Sequence, residues 1–518
     1  MIGVLATAYK QKPAELVLAA LRCSVSRSLS YIISPASLSD MNTVLAISPD
    51  KSMGTLLLDW LANGPRKLII FGDLTSCLAT HFGCVKGEWP ERPDAWSRSA
   101  DATCGLYAES AAHVQYEPNA QVFDAAHWCR PLERFDFTDE WNNLGYGAIR
   151  ADGSIWSLST PLNAPPSTVL AQVMQDGSVL ASYAALFEEG GGSILWINRE
   201  VGLIDSFEWR LVERFISNWR HEQLPCLPVI SEIPWGCNAA ITMRLDCDED
   251  ISSARPLWEA YREMNVPLSL AIHTSNFNED IHHRFLRDFC EAGGCLLSHT
   301  ATHAPYWGGS YEAALKEGIE SRDRILNATG VSVDYAVSPF HQSPHYALQA
   351  LCDAGYRGCI GGIIRNDPEF LSARGGERAG LPRGFVGHSQ QTMLHGDCML
   401  ADGDPLSIFK AAFDRAYETR TLFGYLDHPF SARYQYGWAD EASRIQAHRD
   451  LISYIRSRTE SCQFMDENSA MNFLRARTAI QLHGSGDKFV VGLPKETGAV
   501  FAAEYRGNLI PLADRINI

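Results

Sequence analysis

Ile241-Thr-Met-Arg-Leu-Asp-Cys-Asp248 and His299-Thr-Ala-Thr-His303 are the two stretches whose succession decides the reading of this chain. The first closes an apolar run from Ala239 to Leu245, which predicts a buried strand that ends in an acidic loop. Strand ends are where α/β enzymes carry their chemistry. In the second, two imidazoles four positions apart would share one face of a helical turn and grip a single cation, with Asp248 supplying a carboxylate oxygen. Three protein ligands leave a coordination position for water. Each cluster alone has an ordinary structural explanation, because His-x-x-x-His is common on helices and Asp-rich loops serve as turns and caps. Their order points to a mononuclear metal-hydrolase site.

The surroundings of the two clusters extend the pattern. Pro267-Leu-Ser-Leu-Ala-Ile-His-Thr274 supplies a second strand, and Gly293-Gly-Cys-Leu-Leu-Ser298 leads into the histidine pair. Tyr335-Ala-Val-Ser-Pro-Phe-His341 and Gly424-Tyr-Leu-Asp-His-Pro429 follow. In this order the segments resemble the polysaccharide deacetylases, the NodB-homology or carbohydrate esterase 4 group, over roughly residues 236 to 465. The resemblance implies a distorted (β/α) barrel. It makes Asp246 the general base, Asp248, His299 and His303 the metal ligands, and His428 on the last strand the acid that protonates the leaving amine. The alternative, Asp248 as base with Asp250 on the metal, is left open by sequence. Pro339 and Phe340 match the family's proline loop.

Departures from the family pattern bear on the base. The proline loop usually carries an arginine that orients it, and here Val337 and Ser338 stand in the matching stretch. Arg244, two residues before Asp246, is a candidate substitute; a base with no charge partner would have a raised pKa. The usual Asp-Asp-Gly ending of the first motif is absent, which suggests a distant branch. His395 and Asp397 are candidates to place an imidazole and a carboxylate near the metal, and Asn366-Asp367 falls where the family keeps an Asp that orients its histidine. Tyr434, Tyr436 and Trp438 offer aromatic faces for sugar rings, although alternating aromatics are more often core.

With 518 residues the chain exceeds what one core usually supports. The expected division is an α/β domain over 1–222, a linker over 223–235 marked by Pro225, Pro228 and Pro234, the barrel over 236–475 and a β-rich appendage over 476–518. In the first domain Lys67-Leu-Ile-Ile-Phe71 and Ser193-Ile-Leu-Trp-Ile197 read as buried strands. Asp205-Ser206 can cap a helix bearing Phe207, Leu211, Phe215 and Trp219. An α/β sandwich of flavodoxin-like type is expected. The closing half, with its Asp176-Gly177 turn and Gly-rich approach to Ile194, resembles class I glutamine amidotransferase-like domains. That activity is not implied, since no Gly-x-Cys-x-Gly elbow exposes a nucleophile and Cys77 and Cys84 lack the flanking glycines.

A formal charge of −17 argues against nucleic acid or an anionic membrane surface as the main partner. No stretch approaches about 18 apolar residues, and the start lacks the basic and apolar regions of an export signal. The 14 cysteines are scattered singly, as expected for reduced thiols, so a cytoplasmic location follows. The leading expectation is therefore a metal-dependent hydrolase that removes an N-acyl group, most often acetyl, from an amino sugar. His2Asp ligation suits Zn2+ and tolerates other first-row ions. A small-amide hydrolase of deformylase or allantoinase type is the near alternative; a degenerate carbohydrate-binding barrel is the distant one. Oligomeric state is not legible.

Overall fold

The alternation of short apolar strands with amphipathic helices produces two compact units in the computed structural model, which describes residues 1–89, 112–132, 158–200, 206–277, 280–362, 374–485, 488–494 and 500–513. The described residues of the first unit lie within 1–135, 146–231 and 479–518, and those of the second within 232–478. The C-terminal residues, set apart by sequence as an appendage, thus cluster with the first unit. Their strand Phe501–Tyr505 pairs with Val229–Ile230, inside the stretch read as a linker. Among the described residues no helix is long and apolar enough to cross a membrane.

In the first unit five parallel strands run side by side in the order Ser30–Ile33, Ile2–Ala6, Thr43–Ile47, Lys67–Phe71, Gly192–Ile197. This 2-1-3-4-5 order is the doubly wound, flavodoxin-like arrangement. The sheet continues with antiparallel strands, and Val169–Gln175 turns into Ser178–Glu189 through Asp176 and Gly177, both at positive φ. That is the backbone a tight hairpin of matching twist requires. Helix Ser206–Ser217 buries Phe207, Leu211 and Phe215, each worth roughly 1.5 to 3 kcal/mol when taken fully out of water. Burial pushes the Cys84 thiol up to about 11, the opposite of what a nucleophile needs.

The second unit is built on a mainly parallel sheet. Ala239–Cys247 lies between Phe423–Asp427 and Ser269–Ile272, and Cys295–Ser298, Tyr335–Val337, Gly358–Gly362 and Val386–Gln390 follow in turn. The chain then closes the sheet on itself. Val386–Gln390 pairs with Gly358–Gly362, while the next residues turn to the opposite edge: Gln391 donates its N–H to the Gly424 carbonyl at 2.9 Å and Thr392–Met393 pairs with Phe423–Asp427. A single run of residues spans both edges and completes a (β/α) barrel.

Helices pack on the outside through apolar stripes. In Arg255–Glu263 the buried side chains are Leu257, Trp258, Ala260 and Tyr261, and the Trp258 ring lies edge-on to Phe285 and Phe289. Inside, alternate residues of Ala239–Cys247 place Thr242, Arg244 and Asp246 on one face. Below them Glu467 is fully buried, takes a 2.6 Å hydrogen bond from Gln390 Nε2, and is raised to about 7 by burial, against the pull of Arg244 and of its neighbours Thr242 and Gln390.

A folded pKa raised above the unfolded value favours the native state most at low pH, and that advantage is lost as pH rises from about 4.5 through about 7. Glu467→Gln, which mimics the neutral acid, is therefore expected to be more stable than the parent at pH 8 by on the order of 1 to 3 kcal/mol and to match it near pH 5. Urea unfolding at the two pH values reads this out; equal stability at both would refute a buried neutral acid.

Candidate metal centre

Asp248 follows directly on Ala239–Cys247, and His299 on Cys295–Ser298, so both stand at carboxyl ends of barrel strands. The expected helical turn carrying the two histidines is not formed. Residues 299–303 are a non-helical loop in which Thr300 and His303 have φ of 68° and 54°. The physical reason lies far along the chain, on helix Tyr311–Thr329. Its Glu317 carboxylate accepts the N–H groups of Ala301 and Thr302, at 2.9 and 2.8 Å, and the Thr302 hydroxyl, replacing the bonds a helix would have made. Thr300 Oγ1 accepts the His303 N–H. The loop folds back, and the two imidazoles meet with Nε2 atoms 3.1 Å apart.

Asp248 completes the cluster, with His299 Nε2 at 3.1 Å from Oδ1 and His303 Nε2 at 3.5 Å from Oδ2. The Val337 carbonyl, 3.1 Å from His299 Nδ1, accepts a hydrogen bond from that N–H and so leaves the lone pair on Nε2. Asp248 Oδ1 is buried and accepts no hydrogen bond among the described residues. Two ligands about 2.05 Å from a tetrahedral ion stand about 3.3 Å apart, close to the spacing of these nitrogens. Two imidazole lone pairs and an orphaned carboxylate oxygen within 4.8 Å of one another fit a divalent cation. Burial, together with His299, lowers His303 to about 4, so it is neutral and able to ligate. Burial would raise Asp248, but His299 and His428 outweigh it and hold the carboxyl well below its usual range. The same pairing raises His299 against its own burial, through Asp246 and Asp248.

Asp246 is held by Arg244 in a two-point contact, Nε to Oδ1 at 2.6 Å and Nη2 to Oδ2 at 3.1 Å. Both side chains are buried. Arg244, the candidate substitute for the missing arginine, is thus the charge partner of Asp246. Burial alone would raise its pKa, but Arg244, His299 and His428 bring Asp246 down to about 2. Such a carboxylate stays ionised at any working pH and gives up basicity for a fixed orientation. Val337 and Ser338 contribute no charge; they offer a carbonyl to His299 and a hydroxyl to Ser343. Asp250 turns to the Ser252 and Ser253 hydroxyls and to His282, away from the histidine pair.

His428, next after Phe423–Asp427, places Nε2 3.3 Å from Asp248 Oδ2. His395 is buried with Nε2 2.7 Å from His428 Nδ1, and the Tyr436 ring stacks on His428 at 4.4 Å. Phe340, at φ 52° and 45% exposed, lies with its ring 4.5 Å from that of His303, and Pro339 is buried beneath it at the start of the same turn. Asp397 is exposed two residues beyond His395. Trp438 is only 4% exposed, so its ring is core rather than a face for a sugar. Asn366 and Asp367 lie outside the described residues.

Two further histidines belong to the site. His273 Nδ1 is 3.2 Å from the Asp248 carbonyl, and burial, then Arg244, pushes His341 down to about 3. His273 follows an apolar strand pattern and His341 closes the proline-loop stretch in the sequence, which was the available signal.

No family model and no curated protein matches this chain. Solved structures similar to it include a candidate polysaccharide deacetylase from Mycobacterium smegmatis, with 14% identity over 47% of this chain and 94% of that one and a TM-score of 0.37. Puue allantoinase has 14% identity over 46% and 91%, with a TM-score of 0.34. A family 4 acetyl xylan esterase from Clostridium thermocellum, in complex with cobalt, has 11% identity over 45% and 91%, with a TM-score of 0.30. At these values the fold rests on the strand order and closure described above.

Proposed function

We propose that this chain is a distant member of the polysaccharide deacetylase group and a metal-dependent hydrolase that removes an N-acyl group, acetyl in the first instance, from an amino sugar. The observation that carries the reading is the convergence of the His299 and His303 lone pairs on the orphaned oxygen of Asp248, with an Arg244-bound carboxylate and His428 on the same strand ends. Asp248, His299 and His303 would hold the ion, and Zn2+ suits that donor set. When bound, a divalent ion there supplies Lewis acidity and lowers the pKa of a water toward about 7.

The chain's own groups divide the proton transfers. Asp246, ionised and aimed by Arg244, takes the proton of the attacking water. His428 Nε2 faces the same space and delivers its N–H proton to the departing amine, and the proton that Asp246 takes from the water returns to His428, so both groups regain their starting state. Tyr436 covers the His428 ring and fixes its plane. The exposed Phe340 ring beside His303 gives an apolar lip on which one face of a pyranose can lie. His2Asp ligation and two flanking proton-transfer groups are what amide hydrolysis needs; they do not choose the sugar.

The test is a product screen on the purified chain with its metal content measured. Acetate or formate release from N-acylated saccharides, lost on chelation and restored by added ion, is the expected result. Turnover confined to small amides would overturn the sugar assignment, and a metal-loaded protein inert on every acylated substrate would overturn the enzymatic one.

A further inference from the structure

We propose that His395 is the positioning residue of His428, fixing the tautomer and the plane of that ring through a hydrogen bond to Nδ1. The functional half of this statement rests on the acid role given to His428 above. The structural half rests on a contact: His395 Nε2 and His428 Nδ1 are 2.7 Å apart, with ring centroids at 4.9 Å and planes 58° apart. Together with Asp427 these two histidines form a second cluster of groups able to ligate metal. The spacing rejects that use. Nitrogens sharing one tetrahedral ion would stand about 3.3 Å apart, whereas 2.7 Å is a hydrogen bond.

Asp427 is also fully engaged. Its Oδ2 accepts from Arg444 Nε at 2.7 Å and from His448 Nε2 at 3.0 Å, and its Oδ1 accepts the His428 backbone N–H at 2.7 Å. His448 is fixed in turn through Nδ1, 2.8 Å from the Tyr261 hydroxyl, which contacts the Tyr425 hydroxyl at 2.8 Å. The result is a buried polar column that holds one carboxylate in place behind the two imidazoles. Arg444, then His448 and His395, hold Asp427 well below the usual carboxylate range although burial opposes them.

The position of that charge selects the tautomer. Asp427 Oδ1 lies 3.6 Å from His395 Nε2, which favours the proton of His395 on Nε2. His395 then donates to His428 Nδ1, which places the proton of the His428 ring on Nε2, the atom 3.3 Å from Asp248 Oδ2. His428 thereby presents an N–H to the substrate space.

The backbone is shaped to hold this pair. The turn bearing His395 and the turn bearing Tyr436 touch main chain to main chain: the Gly396 N–H donates to the Tyr436 carbonyl at 3.0 Å, and a Cβ on Gly396 would come within 2.3 Å of the Gly437 carbonyl carbon. Gly437 itself has φ 76°. The closeness of the two turns keeps His395 on one nitrogen of His428 while Tyr436 stacks on its face.

The deciding experiment uses the full chain loaded with zinc and labelled with 15N in its histidines. His428 of the parent is expected to show the nitrogen shifts of the Nε2–H tautomer, and the Nδ1–H tautomer would overturn the proposal without any variant. His395→Phe keeps the ring volume and removes both nitrogens. It is expected to spread the His428 signals between tautomers and, on an N-acetylated chitooligosaccharide, to lower kcat about 10- to 100-fold with KM and zinc content unchanged. His395→Gln, which keeps a polar N–H, is expected to recover the parent's spectrum and most of its kcat. Parent-like spectra and kcat in His395→Phe, or an effect on KM alone, would overturn the assignment. If the parent itself releases no acyl product, the functional reading falls, and the nitrogen spectra still decide the His395–His428 pair.

Discussion

Asp246→Asn is expected to lower turnover by about a hundred- to ten-thousand-fold while metal content stays at the parent's value. The substitution removes the carboxylate that Arg244 grips with two nitrogens, and with it the acceptor for the water proton. It leaves Asp248, His299 and His303 untouched. Asparagine keeps the shape and one acceptor oxygen, so Arg244 is left beside a neutral amide, and a stability loss of about 1 to 3 kcal/mol is expected as well. Activity and stability are separable because the apparent Tm can be read beside the initial rate. Near-parent turnover in a folded, metal-loaded variant would refute Asp246 as base; loss of the metal would make it a ligand.

Asp246 is also where sequence and structure meet most usefully. The strand Ala239–Cys247 was legible from its apolar run, and a period of two places Arg244 and Asp246 on one face, so the guanidinium could be named as a stand-in for the missing arginine. What could not be read was that it binds with two nitrogens. The histidine pair was misread locally because a spacing of four fits a helical turn as well as a loop that folds back. The choice is made by Glu317, on a helix more than a dozen residues away, and no local pattern reports such a clamp. His395 posed the same difficulty in stronger form. Its contact with His428 exists because Thr392–Met393 closes the barrel against Phe423–Asp427, a pairing that only the folded sheet reveals. In the first unit the Lys67–Phe71 strand and the Asp176-Gly177 turn were legible, whereas the pairing of Phe501–Tyr505 with Val229–Ile230 was not, being set by long-range packing.

His299→Ala tests the other half of the site, and here the expected result is loss of the metal itself. Removing one of the three proposed ligands leaves a single imidazole and a carboxylate, too few donors to hold zinc. Occupancy after equilibrium dialysis is expected to fall below about a tenth of the parent's, given the 10- to 100-fold losses that even outer partners of a ligand cause. Alanine also costs the Val337 carbonyl its partner and opens a buried space, so folding and ligation must be told apart. His303→Ala does this. His303 lies at the mouth, its side chain 16% exposed, and its ring contributes to the site through Nε2. It is expected to lose metal as His299→Ala does, with a smaller fall in apparent Tm. Full occupancy in either folded variant, measured by elemental analysis, would refute ligation by that histidine. Parallel loss in both, with Asp246→Asn still loaded, would separate the residues that hold the ion from the one that moves the proton.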